Sequence, residues 1–228
     1  MVLDIGCGDG ELSARIAEKC KQVVGLDASG QMVAAARGRC AEVKQGRMEV
    51  EVVDCRHLGS WVDGNDFEDE GDVTSEEADG HKRSKRESYD KVFSNASLHW
   101  ILHDPTTRLG TLRAAHSALV PHGTLVFEMG GAGNVAEVHA VLISSLARRV
   151  GIEAAREASP WFFPSEMQMS RLVEKAGFKV EKIESEYRPT RLTDGEDGGL
   201  EGWIRLMAAG MLEAVGKGAR ETVVREVL

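Results

Sequence analysis

The sequence predicts an α/β fold built on a doubly wound, mostly parallel sheet. Short apolar runs alternate with helical patterns from the first residue onward, and the early runs end in a glycine loop or a single Asp or Asn. Met48, Val50 and Val52 alternate with Glu49 and Glu51, the period-2 signature of a strand. Strand, helix, strand, helix, strand at this spacing means βαβ units joined by right-handed crossovers.

Met1 to Ile5 reads as a buried first strand that enters the loop Gly6-Cys7-Gly8-Asp9-Gly10. Leu12, Ile16, Ala17 and Cys20 recur at helical spacing, and Gln22 to Leu26 is a second strand stopping at Asp27. Ser29 suits the N-cap of a helix through Met32, Val33 and Ala36. The third strand ends at Asp54 and the fourth, from Tyr89, at Asn95. A helix follows from Pro105 through Leu119, then a turn at Pro121-His122-Gly123 and a fifth strand over Thr124 to Met129. Further on we expect a helix over 134–149, an aromatic loop at Trp161-Phe162-Phe163-Pro164, and a helix from Ser165 to Ala176 capped by Gly177. Phe178 to Ser185 reads as a sixth strand. Leu200 to Val215 reads as one helix with Trp203, Leu206, Met207 and Leu212 on a shared face, in a mainly helical tail over 186–228.

The 228 residues carry 28 Lys and Arg against 37 Asp and Glu, enough chain for one domain. Of the net charge of −9, a balance of −6 lies in residues 59–88, where ten acids meet four bases. Nine acids fall between Asp63 and Asp79 before the basic run Lys82-Arg83-Ser84-Lys85-Arg86. Such a block cannot bury enough apolar surface to offset its ordering entropy, so it predicts a disordered insertion. The basic run could serve as a nuclear address or a partner contact, but a loop balancing its own acids is the simpler reading. An acidic chain argues against nucleic acid as the main partner. No stretch approaches the roughly 18 apolar residues of a membrane span, and no signal segment opens the chain. Cys7, Cys20, Cys40 and Cys55 at irregular spacing fit free thiols in the cytoplasm. The seven histidines show no tight ligand spacing, so no metal is expected. Nothing signals an oligomer, and a monomer is the default.

Ligands of open α/β sheets bind where strand order reverses, at the carboxyl ends of the strands. Those ends carry the glycine loop, Asp27, Asp54 and Asn95. A glycine loop with an acid closing the next strand is a recipe for an adenosine. In a dinucleotide loop, counting from Gly6 and Gly8, the third glycine falls at position 11, which is Glu11. Asp9 and Glu11 would set two negative charges against a diphosphate, which disfavours a nicotinamide oxidoreductase. A cationic nucleoside with an amino-acid tail tolerates Asp4 and Asp9; S-adenosylmethionine is one.

Val2-Leu3-Asp4-Ile5-Gly6-Cys7-Gly8-Asp9-Gly10 resembles the first motif of class I S-adenosylmethionine-dependent methyltransferases, whose sheet is Rossmann-like. Gly25-Leu26-Asp27 and Val53-Asp54-Cys55 resemble its ribose and adenine motifs. Phe93 to Trp100, Glu128 to Asn134, Trp161 to Ser165, Arg188-Pro189-Thr190 and Gly202 to Arg205 resemble the trans-aconitate methyltransferase-like small-molecule branch. The resemblance implies that Asp4 and the backbone of Gly6, Cys7 and Gly8 hold the methionyl end. It implies Asp27 and Ala28 at the ribose, Met32 packing on the adenine, Asp54 and the Cys55 N–H at the adenine edge, and Asn95 near the sulfur. Taken singly, Asp27 or Asp54 reads equally as a strand-end or capping residue. Cys7 reads as a small buried filler rather than a nucleophile.

The branch implies a small carboxylate acceptor. Arg188, Arg191, Arg205 and His99 are the candidates to hold it. His99 could instead act as general base towards a hydroxyl or amine, with Trp100 beside it at the same strand end. For any one of the arginines a solvated helix or loop position is the simpler reading. Asn95-Ala96-Ser97-Leu98 departs from the segment of base-modifying relatives, which lowers nucleic acid as substrate. Compared with the family, a helix before the first strand and a seventh strand are absent from the pattern, which predicts an unpaired edge on strand five and weakened cofactor binding. A methyltransferase-like module that binds cofactor or a partner without turnover is the alternative.

Overall fold

The computed structural model describes residues 1–65, 84–194 and 198–228. In chain order the elements are β1 (Val2–Ile5), α1 (Glu11–Ala17), β2 (Gln22–Asp27), α2 (Gly30–Cys40), β3 (Arg47–Val52), α3 (Leu58–Asp63), β4 (Tyr89–Asn95), α4 (Leu98–Ile101), α5 (Arg108–Ala118), β5 (Leu119–Glu128), α6 (Ala136–Val150), α7 (Ile152–Glu157), α8 (Glu166–Lys175), α9 (Gly199–Met207), α10 (Ala209–Glu213) and α11 (Lys217–Val227). They group into two compact units.

The first unit, Met1–Gly130 with Pro164–Ile183, contains a five-stranded parallel sheet in the order β3-β2-β1-β4-β5. Strand order reverses at β1, so the loop after β1 opens at the switch point expected of a doubly wound sheet. β1 is buried along its whole length, which explains its unbroken apolar run. Val2, Val23, Val33, Ala36 and Met48 join in one cluster that seats α2 on β1, β2 and β3. Ser29 caps α2 with its hydroxyl, accepting from the Met32 N–H at 3.3 Å. β5 starts earlier than its sequence suggests. Tyr89 pairs with Leu119 and Lys91 with Thr124, so the Pro121-His122-Gly123 turn bulges out of the ladder instead of preceding it.

Two expectations are corrected here. The insertion does not begin at residue 59: Leu58–Asp63 is a helix, with Leu58, Trp61 and Val62 buried. Its return arm is also fixed, since Lys85 Nζ lies 3.9 Å from the centre of the Trp61 ring and Arg86 pairs with Asp63 at 2.7 Å. The core of the expected insertion, residues 66–83, lies outside the described residues. The second correction concerns Phe178–Ser185, which forms no strand. The Phe178 N–H is spent on the Val173 carbonyl, and Gly177 (φ +108°) donates to Glu174, closing a Schellman turn on α8. The Phe178 ring then packs edge-on to His116 at 4.9 Å. β5 is left as a sheet edge, with Val126 half exposed.

The second unit comprises Gly131–Phe163 and Glu184–Leu228. Leu142 and Leu146 of α6 are fully buried, as are Ile204, Ala208, Met211 and Val223. Glu226 of α11 accepts from Arg149 (2.9 Å) and Arg148 (2.6 Å) of α6 and from the Ser145 hydroxyl. The single helix expected over 200–215 is two, α9 and α10. Leu206 is not on a packed face, being 73% exposed.

Candidate functional site

The loop after β1 is shaped by glycines for two different reasons. Gly6 and Gly8 both have positive φ (+73° and +56°), where L-residues are strained. A Cβ on Gly6 would sit 2.2 Å from Ser97 Oγ, whereas one on Gly8 would meet nothing within 4 Å. Gly6 therefore serves packing against the β4 end, and Gly8 borders open space. Ser94 and Ser97 hold that packing by donating to the Ile5 carbonyl at 2.7 and 2.8 Å. Ala96 between them takes φ +54°, strain held at the end of β4. β2 fixes the loop from its other side. The Leu26 carbonyl accepts from Gly6 and Cys7 N–H, and Asp27 accepts from Gly8 N–H at 3.0 Å and Ser29 N–H at 2.8 Å.

A cavity of about 270 Å³ opens here, with Asp4, Gly6, Cys7, Glu11, Arg15, Phe93 and Asn95 among its walls. Asp4 is the residue with most chemical consequence. It is 2% exposed, and its carboxylate accepts from the Ser13 hydroxyl at 2.5 Å, a neutral donor. Burial, with the nearby charge of Asp27, raises its pKa from 3.8 to about 6 against the lowering pull of Ser13. The Cys7 thiol is pushed up to about 12 by burial and by Asp4 and Asp27, so it stays protonated and inert. Burial likewise holds Cys55 as a thiol.

The remaining sequence candidates divide. Ala28 and Met32 are exposed at the β2 end and the start of α2. Asp54 lies at the β3 end, where Arg56 takes both its carboxylate oxygens, the closest contact 2.6 Å. Asp9 is compensated rather than repulsive: Arg39 binds its carboxylate at 2.6 Å and its carbonyl at 3.0 Å. His99 follows the β4 end with its ring 5.5 Å from that of Trp100. Its Nδ1 accepts from Gly130 N–H at 3.3 Å, and burial lowers its pKa to about 4. A neutral imidazole that accepts at Nδ1 carries its proton on Nε2, so Nε2 is a donor rather than a base. The three arginines belong to the second unit. Arg188 is exposed, Arg191 pairs with Asp194 at 2.9 Å, and Arg205 spans Glu201 and Glu221, each at 2.7 Å.

Ser13 and Arg39 are the residues that reading the sequence missed. No spacing rule reveals them, because each acts on a residue of a different segment, Ser13 on Asp4 of β1 and Arg39 on Asp9 of the loop. The second unit holds a larger groove of about 920 Å³ along α6, walled by Ala136, Ala140, Ile143, Trp161 and Phe163. There Trp161 stacks on Phe163 at 5.8 Å and meets Trp203 at 5.9 Å. Among the described residues no group of three His, Cys, Asp or Glu side chains is placed to hold a metal ion, and no helix is long and apolar enough to cross a membrane.

Comparison with known proteins agrees with this fold. An uncharacterized methyltransferase of Schizosaccharomyces pombe is 37% identical over 194 residues, covering 84% of this chain; the chain spans 64% of that relative's length. Among solved structures, a SAM-dependent methyltransferase of Methanosarcina mazei superposes with a TM-score of 0.55 at 16% identity, over 87% of this chain and 86% of the other. The YcgJ protein of Bacillus subtilis gives 0.54 at 14% identity, over 97% and 80%. At such identities the two structures speak for the fold alone. Residues 3–125, more than half of the chain, match the methyltransferase domain family, and the chain belongs to that family.

Proposed function

We propose that the protein transfers a methyl group from S-adenosylmethionine to a small-molecule acceptor. The observation that carries this reading is Asp4, a buried carboxylate at the open end of the glycine loop whose hydrogen-bond donor is neutral. A charge left in that state is stabilised by a cationic ligand and destabilised by a phosphate. The residues fit the donor in other respects. Gly8 leaves space for a ligand, and Asp27 keeps lone pairs for a ribose diol beyond the two N–H groups it already accepts. Asp54 and the Cys55 backbone are the proposed adenine contacts, with Ala28 and Met32 flanking, and Asn95 faces the reacting end.

When bound, the donor supplies a methyl carbon already activated by its sulfonium: the C–S bond breaks as a bond to the acceptor forms, leaving a neutral thioether. The protein's part is to hold the two partners in line and exclude water, a proximity effect worth up to roughly 7–11 kcal/mol. His99, as a donor at Nε2, supports an acceptor that needs no proton removed, such as a carboxylate, and Trp100 shields the same strand end. The resemblance to the trans-aconitate methyltransferase-like branch supports the same acceptor class. Arg188, Arg191 and Arg205 are the arginine candidates for gripping it; Arg191 is paired with Asp194 and Arg205 with two glutamates, so an acceptor would have to compete for either. Free thiols at Cys7, Cys20, Cys40 and Cys55 support a reducing compartment such as the cytoplasm.

Incubation with methyl-labelled S-adenosylmethionine and a panel of small carboxylic acids tests the reading: label should pass to an acid as a base-labile ester. Cofactor binding without transfer to any acceptor supports the non-catalytic module instead.

A further inference from the structure

We propose that Arg39 is a positioning residue of the cofactor site, fixing the glycine loop to α2 through Asp9. The proposal rests on the reading of that loop as the cofactor loop. Arg39 lies in the last turn of α2 and uses two donors of one guanidinium plane. Nε donates to the Asp9 carbonyl at 3.0 Å and Nη2 to the Asp9 carboxylate at 2.6 Å. The other oxygen of that carboxylate accepts from Glu11 N–H at 3.2 Å, so the grip reaches the first residue of α1. Next to it Gly10, with φ +78°, packs so tightly on α2 and β3 that a Cβ there would come within 2.8 Å of Ala36 Cβ and Met48 Cε. Ala36 sits one turn before Arg39. The loop is thus tied on one side by the β2 contacts of Gly6, Cys7 and Gly8 and on the other by Arg39.

The pair is half exposed, with side-chain exposures of 36% and 46%, so its Coulomb energy alone is small. Its consequence is geometric: a planar fork holds two acceptors in a fixed relative orientation, which the rotating donors of a lysine do not. It also offsets the charge of Asp9, so that Asp4 is the buried carboxylate facing the ligand.

The test compares wild type, Arg39→Ala and Arg39→Lys in calorimetric titrations with S-adenosylmethionine and S-adenosylhomocysteine, and in amide hydrogen exchange of residues 7–11 without ligand. Both variants should bind both nucleosides about tenfold more weakly. Loop amides should exchange faster in both variants while the melting temperature moves little. Wild-type affinity in Arg39→Ala, or unchanged exchange, would overturn the proposal; full rescue by lysine would replace the fork with a charge effect and overturn it equally. If wild type binds neither nucleoside while Arg39→Ala still accelerates loop exchange, the clamp stands and the cofactor reading falls.

Discussion

The burial of Asp4 is unfavourable to stability at neutral pH. Its ordinary pKa of 3.8 rises to about 6 in the folded chain, so the native state binds a proton that the unfolded chain has already released. The stability this group contributes is full below about pH 4 and is lost as pH rises through 6. Holding the buried carboxylate ionised at pH 7 costs roughly 3 kcal/mol. Asp4→Asn should therefore raise the melting temperature at pH 7 while abolishing S-adenosylmethionine binding; a melting temperature that falls would contradict this account of the site. A cation draws the ionised form, so affinity should decline about tenfold per pH unit below 6. Ser13→Ala removes a contact that holds the pKa down, and the midpoint of that decline should move to higher pH. Titrations at pH 5, 6 and 7 read both effects. Asp4 was legible from its place in the motif; Ser13 was not, since a serine nine residues away on a helix carries no signature until the helix is laid against the strand.

Among the elements, the loop after β1 and its β4 neighbour behave as one packed unit. Gly6→Ala would force a Cβ to within 2.2 Å of Ser97 Oγ at φ +73°. Strain and overpacking together predict a loss of about 2–5 kcal/mol in denaturant unfolding. Gly8→Ala meets no neighbour and should cost only about 1 kcal/mol. Equal losses would show that packing at Ser97 does not distinguish them. The five strands were legible because each is a short apolar or alternating segment stopped by Gly, Asp or Asn, and the Ser29 cap because its hydroxyl precedes the first turn. The sixth strand was misread for a definite reason. Phe178, Val180 and Ile183 carry strand chemistry, but a strand exists only with a ladder partner, and the first N–H of the segment is taken by the cap of α8. Trp61 and Val62 were likewise absorbed into an acidic block that they in fact leave for the core. Arg205 ties α9 to α11 through Glu201 and Glu221. Arg205→Ala should lower the melting temperature modestly and leave cofactor affinity unchanged; a raised KM for an acidic acceptor without any change in melting would return it to the substrate site.

At the scale of the molecule, the order β3-β2-β1-β4-β5 opens a crevice at the switch point, and the proposed function makes its selectivity electrostatic. Reading the sequence assigned the exclusion of phosphates to Asp9 and Glu11; with Arg39 neutralising Asp9 and Asp4 buried beside Asp27, the proposed function adds Asp4 to Glu11 in that role. The most direct measurement is a pair of calorimetric titrations at pH 7.5, one with S-adenosylmethionine and one with a nicotinamide dinucleotide. Saturable one-to-one binding of the methyl donor, lost in Asp4→Asn, with no heat from the dinucleotide is the expected result. Binding of the dinucleotide, or affinity for the methyl donor that survives Asp4→Asn, would contradict it.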